Sequence, residues 1–309
     1  MQYASSTDTR RDYRGDSRPG DPAEAQRALA RFNRARLTPG FGDAPAYGAA
    51  VAEQRMLATE SAFVDAARAR IAPFLAGVPT EPTPFVDWFE RLRADGPGQG
   101  DPLFAWLADT ASLTQMRWFM AQEVAGEAGF DDLVAMTQVK MPARAKLEMA
   151  RNYWDEMGRG EAKGMHGPML ARLADHFDID PTIESTVPES LALANMMMAL
   201  AFNRRYAFHA VGALGVIEMT APGRAACVVK GLDRLGVPKK ESHYFSVHAV
   251  LDVKHSQAWN AEVLWPLVAE NPRCARAIAE GALLRLQCGL RCFERYRREF
   301  GLLPMRAAD

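Results

Sequence analysis

The sequence NYWDEMGRGEAKGMHG, at residues 152–167, interrupts a strongly helical pattern with a run of glycines. The segment before it, PARAKLEMARNYWDEM, is rich in good helix formers. The glycines are Gly158, Gly160 and Gly164. Each glycine costs a helix interior about 1 kcal/mol relative to alanine, so a helix that only had to pack would not contain three of them. The interruption therefore needs a reason other than packing.

Glu156 and His166 flank the first and last of these glycines and are ten residues apart. In an unbroken helix this gap would leave their side chains about 80° apart, which is unfavourable for binding one ion. If about three residues loop out, both side chains return to one face, and glycine permits the backbone that this requires. We therefore predict irregular or π-type backbone between Met157 and Met165, with His166 on resumed helix and facing Glu156. The alternative is an ordinary helix–loop–helix turn in which Glu156 is a surface charge.

A second polar pattern occurs in HYFSVHAVLDVKHSQAW, at residues 243–259. His248, Asp252 and His255 are spaced by four and then three residues, so they lie within a ~60° arc of one helix face. Two imidazoles and one carboxylate on one face are typical of half a metal site. The alternative is a polar helix face with ordinary hydrogen bonds.

A further carboxylate, Glu218 in VGALGVIEMTAP, ends a strongly apolar segment. An ionised glutamate there is costly unless it is paired or binds a metal, and the alternative is a glutamate exposed at a helix end. A mixed set of nitrogen and oxygen donors suits iron or manganese better than structural zinc.

Composition limits the class of protein and its partners. The chain has 309 residues, of which 48% are hydrophobic, and a net charge of −1. The hydrophobic residues are enough to form a sizeable core. The net charge is so close to zero that no overall electrostatic attraction draws the chain to nucleic acid or to an anionic membrane. No apolar run approaches the roughly 18 residues that span a bilayer. The four cysteines form no CxxC pair, so we expect reduced, packed thiols in a cytoplasmic protein.

Three segments differ in their pattern. Residues 1–22 are polar and lack apolar periodicity, which predicts a disordered or loosely docked arm. Residues 23–80 are predicted to form an N-terminal helical extension, and residues 81–309 the main domain. Apolar residues recur three and four apart nearly throughout both segments, and none shows the alternation of a β-strand. The prediction is an all-α protein.

Prolines and caps predict where several helices begin and end. Asp101 is expected to cap a single helix over residues 102–127, which opens with a proline. Another proline is expected to open a continuous helix over residues 188–218, and Pro222 to open a third. The Asn-Pro pair at residues 271–272 is predicted to separate the last two helices.

These patterns together resemble the haem-oxygenase-like di-iron oxidases and oxygenases, a family of iron-containing redox enzymes. The resemblance rests on NYWDEMGRGEAKGMH, on the glutamate of GVIEMTAP and on HYFSVHAVLDVKH, which occur in family order over residues 103–300. It implies a haem-oxygenase-like bundle of seven helices, preceded here by the N-terminal extension. The metal ligands that the resemblance implies are Glu156, His166, Glu218, His248, Asp252 and His255.

The resemblance also implies a cofactor and a reaction. It implies two iron ions that alternate between Fe2+ and Fe3+, with O2 as co-substrate and without haem. We expect N-oxygenation of a small amine to a hydroxylamine, nitroso or nitro product in natural product biosynthesis, with an external electron donor. The alternatives are cleavage of C–C or C–H bonds in an amino acid or fatty acid, or a metal-free helical bundle. Neither nucleic acid nor a membrane is an expected partner, and a homodimer stays open.

Members of the family that oxygenate nitrogen tend to have one more carboxylate on the first core helix. Glu123 in MRWFMAQEVAGE is the candidate here, both as a metal ligand and as a catalytic residue, with Glu127 as its alternative. Both would otherwise be solvated surface charges. Arg204 and Arg205 are candidates to bind a substrate carboxylate, unless they lie at the surface. Candidate pocket residues, which are otherwise ordinary core, are Met196, Met197, Met198, Phe202, Tyr206 and Phe208.

Overall fold

The computed structural model describes residues 21–42, 47–126 and 129–302. The described residues contain helices and an isolated bridge but no β-strand, which confirms the all-α prediction. The α-helices are α1 (Pro22–Leu37), α2 (Tyr47–Ile71), α3 (Pro82–Asp95), α4 (Pro102–Asp109), α5 (Leu113–Gly126), α6 (Phe130–Thr137), α7 (Ala143–Glu156), α8 (His166–His176), α9 (Pro188–Phe202), α10 (Ala207–Arg234), α11 (His243–Trp259), α12 (Trp265–Glu270) and α13 (Arg273–Glu299). Short 3-10 helices lie at Ala72–Leu75, Gly158–Gly160, Ala162–Gly164 and Arg204–Tyr206, and π-helix Asn260–Leu264 joins α11 to α12.

The predicted single helix over residues 102–127 is wrong, because the chain breaks between α4 and α5. Asp101 does cap α4, since its carboxylate accepts from the backbone N–H of Leu103 at 2.9 Å. The break arises at Ser112 and Gln115, which form a reciprocal capping box. The backbone N–H of Gln115 donates to the Ser112 hydroxyl at 3.3 Å, and the N–H of Ser112 donates to the Gln115 side chain at 2.9 Å.

The predicted continuous helix over residues 188–218 is also interrupted. Asn203 has an extended backbone, and its side chain accepts from the N–H of Arg205 at 3.1 Å, so α9 ends and α10 begins afresh. Pro222 was predicted to open a helix, but it lies inside α10. Its ring removes the N–H that would have paired with the carbonyl of Glu218. Contacts of α10 with its neighbouring helices keep the helix continuous across this defect.

Helix α10 lies at the centre of the protein and packs against α4, α9, α11 and α13. Its crossing with α13 is close because each helix presents a glycine to the backbone of the other. A Cβ at Gly212 would lie 1.9 Å from the carbonyl oxygen of Ile278, and one at Gly281 would lie 1.8 Å from that of His209. These glycines set the distance between the two helices.

The N-terminal helices dock on this bundle through buried polar contacts and shared apolar packing. In α1, Asn33 donates to Asn195 of α9 at 2.9 Å. In α2, Arg68 donates to Glu280 of α13 at 2.8 Å, and Ile71 belongs to the main hydrophobic core. The predicted arm lies outside the described residues except for Asp21, which caps α1, and Pro22, which begins it.

Two further sequence predictions concern the cysteines and the membrane. All four cysteines are free thiols, as predicted. Among the helices of the described residues, none has both the length and the apolar surface that crossing a bilayer requires.

Candidate metal centre

The six predicted ligands come together inside the bundle from four helices. Glu156 is the last residue of α7 and His166 the first of α8, while Glu218 belongs to α10. The other three lie on α11, which the structure forms over residues 243–259 as predicted. Every member of the set is buried except His248, which is half-buried. The set is Glu156, His166, Glu218, His248, Asp252 and His255.

The glycine-rich break brings Glu156 to His166, with Oε2 of the first 2.6 Å from Nδ1 of the second. The intervening residues form two 3-10 turns, and an antiparallel bridge between Met157 and Met165 closes the loop. Gly158 has a φ of +60°, and a Cβ there would lie 2.3 Å from the backbone of Gly164. Irregular backbone followed by helix at residue 166 is thus confirmed.

The form of this break differs from the predicted bulge within one helix. The chain ends one helix and starts another, as the alternative proposed, but Glu156 is only 3% exposed and is no surface charge. The π-helical backbone lies elsewhere, after α11. Glycine is needed at residue 158 because the two ends of the loop lie so close together that a side chain there would overlap the backbone of Gly164.

The donor atoms form two groups that share one carboxylate. Atoms of Glu156, His166 and His248 lie within 4.8 Å of one another. Atoms of Glu156, Glu218 and His255 satisfy the same condition. Glu156 belongs to both groups, so its carboxylate would be available to an ion held by either group.

His248 presents a lone pair to the first group. Its Nδ1 lies 2.7 Å from the backbone carbonyl of Tyr244, and because a carbonyl only accepts, the proton belongs on Nδ1. Its Nε2 lies 3.1 Å from Nδ1 of His166. Burial and the neighbouring charge of His166 lower the pKa of His248 to about 4, which favours the neutral imidazole that binds metals.

His255 is oriented by a residue that the sequence reasoning missed. Its Nε2 lies 3.0 Å from Oδ2 of Asp155, whose other oxygen accepts from Arg159 at 2.6 Å. Its Nδ1 therefore faces Glu218, at 3.4 Å. Burial lowers the pKa of His255, but the hydrogen bonds and charges of Glu218 and Asp155 outweigh it and raise that pKa to about 9. The adjacent carboxylates of Asp155 and Glu156 were the available signal in the sequence.

Glu218 is also held by a neighbour that the sequence reasoning missed. Asn152, one turn before Glu156 on α7, donates to Oε1 of Glu218 at 2.6 Å. This hydrogen bond leaves Oε2 of Glu218 facing His255. Helix α7 thus supplies the candidate ligand Glu156 and two residues that support other ligands, Asn152 and Asp155.

The charges and the unpaired atoms of this cluster fit metal ions. The carboxylates of Glu156, Glu218 and Asp252 are at most 3% exposed, and burying several carboxylates together is costly without cations. Burial and the charges of Glu218 and Glu156 raise the pKa of Asp252 well above its usual range. Oδ1 of Asp252 is buried without a hydrogen-bond partner among the described residues. Divalent cations would supply a partner for this oxygen and would offset the negative charge of the three carboxylates.

A cavity of about 150 Å³ adjoins the cluster, and Glu123 lies on its wall together with Glu156, Glu218, His248 and Asp252. The carboxylate of Glu123 accepts from the Tyr296 hydroxyl at 3.3 Å. Glu123 belongs to neither group of three donors, and its alternative, Glu127, lies outside the described residues.

The predicted pocket residues are not the ones that line this cavity. Met196, Met197 and Met198 are buried in the core instead. Arg204 donates to backbone carbonyls, among them that of Thr137 at 3.2 Å, so it holds the chain and faces no substrate pocket. The wall is formed largely by aromatic and aliphatic side chains, together with two arginines that the sequence reasoning missed. They are Arg224 and Arg285.

The fold and this cluster define a class of all-α proteins in which carboxylates and imidazoles from several helices face a shared buried site. The family described as iron-containing redox enzymes matches residues 117–290, more than half of the chain and the part that contains all six predicted ligands. The chain belongs to this family.

Solved structures support the haem-oxygenase-like fold. A CADD-like protein of unknown function from Nostoc punctiforme is 18% identical, with a TM-score of 0.53, over 69% of this chain and 95% of that one. A domain of unknown function with a heme oxygenase-like fold from Shewanella denitrificans is 13% identical, with a TM-score of 0.51, over 70% of this chain and 90% of that one. A search among curated proteins found no match.

Proposed function

We propose that this chain is a non-haem di-iron oxygenase that uses O2 to N-oxygenate a small amine in specialised metabolism. The observation that carries the proposal is the pair of donor groups sharing Glu156, buried beside a cavity in a chain of an iron-containing redox family. Two neighbouring ion sites with nitrogen and oxygen donors suit iron.

Each ion would have its own set of ligands. His166 and His248 would hold one iron and Glu218 and His255 the other, with Glu156 between them. Asp252, whose Oδ1 lies 3.9 Å from Nδ1 of His255, would complete the second set. The two irons would supply the activation of O2, and the protein would supply the ligand geometry and a largely apolar cavity.

The first oxygenation has a simple balance. The amine R–NH2, one O2, two electrons and two protons give the hydroxylamine R–NHOH and one water. One oxygen atom forms the new N–O bond and the other leaves as water. The electrons come from an external donor, which is a partner that this proposal requires. Further rounds would give nitroso and nitro products.

Glu123 is the reason to favour nitrogen over carbon as the site of oxidation. A further carboxylate near the irons adds negative charge, which favours the oxidised state and a milder oxidant. An amine lone pair reacts with a milder oxidant, whereas an unactivated C–H bond needs a stronger one. The place of Glu123 on the same cavity wall as four ligand candidates supports this role.

The test begins with iron analysis after anaerobic loading with Fe(II), for which we expect about two irons per chain. The loaded protein is then given O2, a reductant and a panel of small amines and amino acids, and the products are identified by mass spectrometry. N-oxygenated products support the proposal. Products that have lost CO2 or gained a double bond would assign the chain to C–C or C–H cleavage instead. The absence of bound metal would exclude both the N-oxygenase and the C–C or C–H cleavage assignment.

Variants then separate the two carboxylate candidates. We expect Glu123→Ala to lower the yield of N-oxygenated product per O2 consumed, and Glu123→Asp to restore part of it. Glu127→Ala tests the alternative, and Glu294→Ala, at an exposed position on α13, is the control. If Glu123→Ala keeps the wild-type yield, Glu123 has no role in the reaction.

A further inference from the structure

A buried tyrosine lies directly behind the wall of the cavity beside the metal centre. Tyr296 of α13 is 1% exposed, and its hydroxyl donates to the carboxylate of Glu123 at 3.3 Å. Its ring also meets the ring of Phe119 edge to face, with the two centroids 5.8 Å apart. Both Glu123 and Phe119 line the cavity. Tyr296 therefore contacts the cavity wall through a hydrogen bond and through ring packing.

A second hydrogen bond holds the phenol group in this position. The hydroxyl oxygens of Tyr296 and Ser190 lie 2.8 Å apart, and Ser190 is buried on α9. A phenol has one proton and a carboxylate only accepts, so Tyr296 donates to Glu123 and Ser190 donates to the phenol oxygen. The proton of the buried phenol thus has an acceptor on the cavity wall.

Aromatic rings continue from Tyr296 towards the surface. The ring of Trp118 packs edge to face on that of Tyr296 with the centroids 5.5 Å apart, and Trp118 is half-buried, so its side chain reaches solvent. Phe300 packs on Trp118 at 5.2 Å and on Trp106 at 4.9 Å. Tyrosine and tryptophan are the aromatic side chains that give up one electron most readily. Tyr296 and Trp118 therefore join the cavity wall to the surface through side chains that can each be oxidised by one electron.

The cavity wall also contains a side chain that an oxidant would damage. Cys292 lies one turn before Tyr296 on α13, is 1% exposed and lines the same cavity. A thiol that is oxidised beyond the sulfenic acid is not readily recovered. An oxidant formed in the cavity without a substrate would be spent on this thiol unless another side chain supplied the electron first.

We propose that Tyr296 and Trp118 carry oxidising equivalents from the metal centre to the surface when O2 is activated without a substrate in the cavity. This inference rests on the proposed function, because it requires an oxidant formed from O2 at that centre. The route gives the chain a further activity, a one-electron exchange with reductants in solution that protects the cavity wall.

Each step of this route balances in electrons and protons. Tyr296 gives one electron to the oxidised centre and its phenol proton to Glu123, which leaves a neutral tyrosyl radical. Trp118 then gives one electron to that radical, and the proton returns from Glu123 to the phenol oxygen. A one-electron reductant in solution, such as ascorbate, restores Trp118 at the surface.

The first test uses the metal-free protein. Azide radicals made by pulse radiolysis oxidise tryptophan side chains, and absorption then follows electron transfer from tyrosine to the tryptophan radicals. A contact that supports transfer in this direction also supports the reverse. We expect a fast phase that is independent of protein concentration, and we expect Trp118→Phe and Tyr296→Phe each to remove it.

Tyr206→Phe is the matched control for this phase. Tyr206 is as buried as Tyr296, but its ring packs on that of His209 at 5.4 Å. We expect the fast phase to be unchanged in Tyr206→Phe. Absence of the phase in the wild type, or its survival in both Trp118→Phe and Tyr296→Phe, would refute the route.

The second test follows the radical in the iron-loaded protein. The protein is mixed with O2 without an amine, frozen at set times and measured by electron paramagnetic resonance. We expect a tyrosyl signal that narrows when the tyrosines are ring-deuterated, that is absent in Tyr296→Phe and that lasts longer in Trp118→Phe. The isotope identifies tyrosine without any substitution, so this result does not depend on the folding of a variant. A signal that remains in Tyr296→Phe and disappears in Tyr206→Phe would overturn the assignment.

Oxidation of the cavity thiol gives a third measurement. After repeated exposure to O2 and ascorbate without an amine, mass spectrometry should find more sulfinic and sulfonic acid at Cys292 in Tyr296→Phe than in the wild type. Cys274, a buried thiol of the main hydrophobic core, should be oxidised equally in both proteins. Equal oxidation of Cys292 in the two proteins would show that Tyr296 protects nothing.

The outcomes separate this inference from the proposed function. If amines are N-oxygenated but no tyrosyl radical forms without a substrate, the oxygenase stands and the aromatic route does not. If the radical forms at Tyr296 but no amine gives an N–O product, the route stands as a property of an O2-activating metal centre while the N-oxygenase assignment fails.

Discussion

The contact between Asp155 and His255 allows one of the two proposed ion sites to be weakened selectively. Asp155 accepts from Nε2 of His255 at 3.0 Å, which fixes the ring so that Nδ1 faces Glu218. His255 belongs to only one of the two donor groups, and the other depends on His166 and His248. Removing the Asp155 carboxylate should therefore affect the two ions unequally.

The expected size of this effect follows from the role of Asp155 behind a ligand. Loss of such a partner typically lowers metal affinity by about 10- to 100-fold, which corresponds to roughly 1.4–2.7 kcal/mol. We expect Asp155→Ala to weaken the binding of one iron by this factor and to change the other by less than about threefold. Asp155→Asn should have a smaller effect, because its amide oxygen can still accept from Nε2.

The assay is an anaerobic Fe(II) titration followed by calorimetry, with circular dichroism to check that each variant is folded. Glu161→Gln, at an exposed position in the same glycine-rich loop, is the control. Wild-type affinity at both ions in a folded Asp155→Ala protein would refute the role of Asp155. An equal loss at both ions would show that the donor groups are not independent.

Two further predictions concern stability. Gly212→Ala should destabilise the protein by roughly 3 kcal/mol or more, because its Cβ would lie 1.9 Å from a carbonyl oxygen of α13. The same substitution at Gly223, which has open space in the same helix, should be neutral or stabilising by up to about 1 kcal/mol in urea unfolding. Equal effects of the two substitutions would contradict the close helix crossing. Burial raises the pKa of Glu280, but hydrogen bonds from His209 and Arg68 outweigh it and lower that pKa from 4.5 to about 2. A lowered carboxyl pKa stabilises the folded state above pH 4.5, and this stability is lost as the pH falls towards 2. Glu280→Gln should therefore cost roughly 1.5–3 kcal/mol at pH 7 and less at pH 3, and a pH-independent difference would contradict this role.

Local sequence patterns predicted the all-α class and the shared helix face of three candidate ligands, but they did not predict the breaks within residues 102–127 and 188–218. Residues 248, 252 and 255 share a face of α11 because helical geometry alone sets the angle between them. The glycines before His166 marked a break because glycine disfavours helix in any context. The capping box at Ser112 and Gln115 was also readable from the sequence, since its two hydrogen bonds join residues three apart.

Tertiary structure decided which side chains support the ligands and which face the cavity. Asn152, Arg224 and Arg285 gain their positions from contacts between helices, and no local pattern distinguishes them from polar residues at the surface. Asp155 is adjacent to Glu156 in the sequence, but it meets His255 only because α7 packs against α11. Pro222 has a local preference to open a helix, but packing of α10 against its neighbours outweighs that preference. The physical reason is one of range: backbone propensity and helical angles act over a few residues, whereas burial depends on which helices meet, and that is set only when the whole chain is packed.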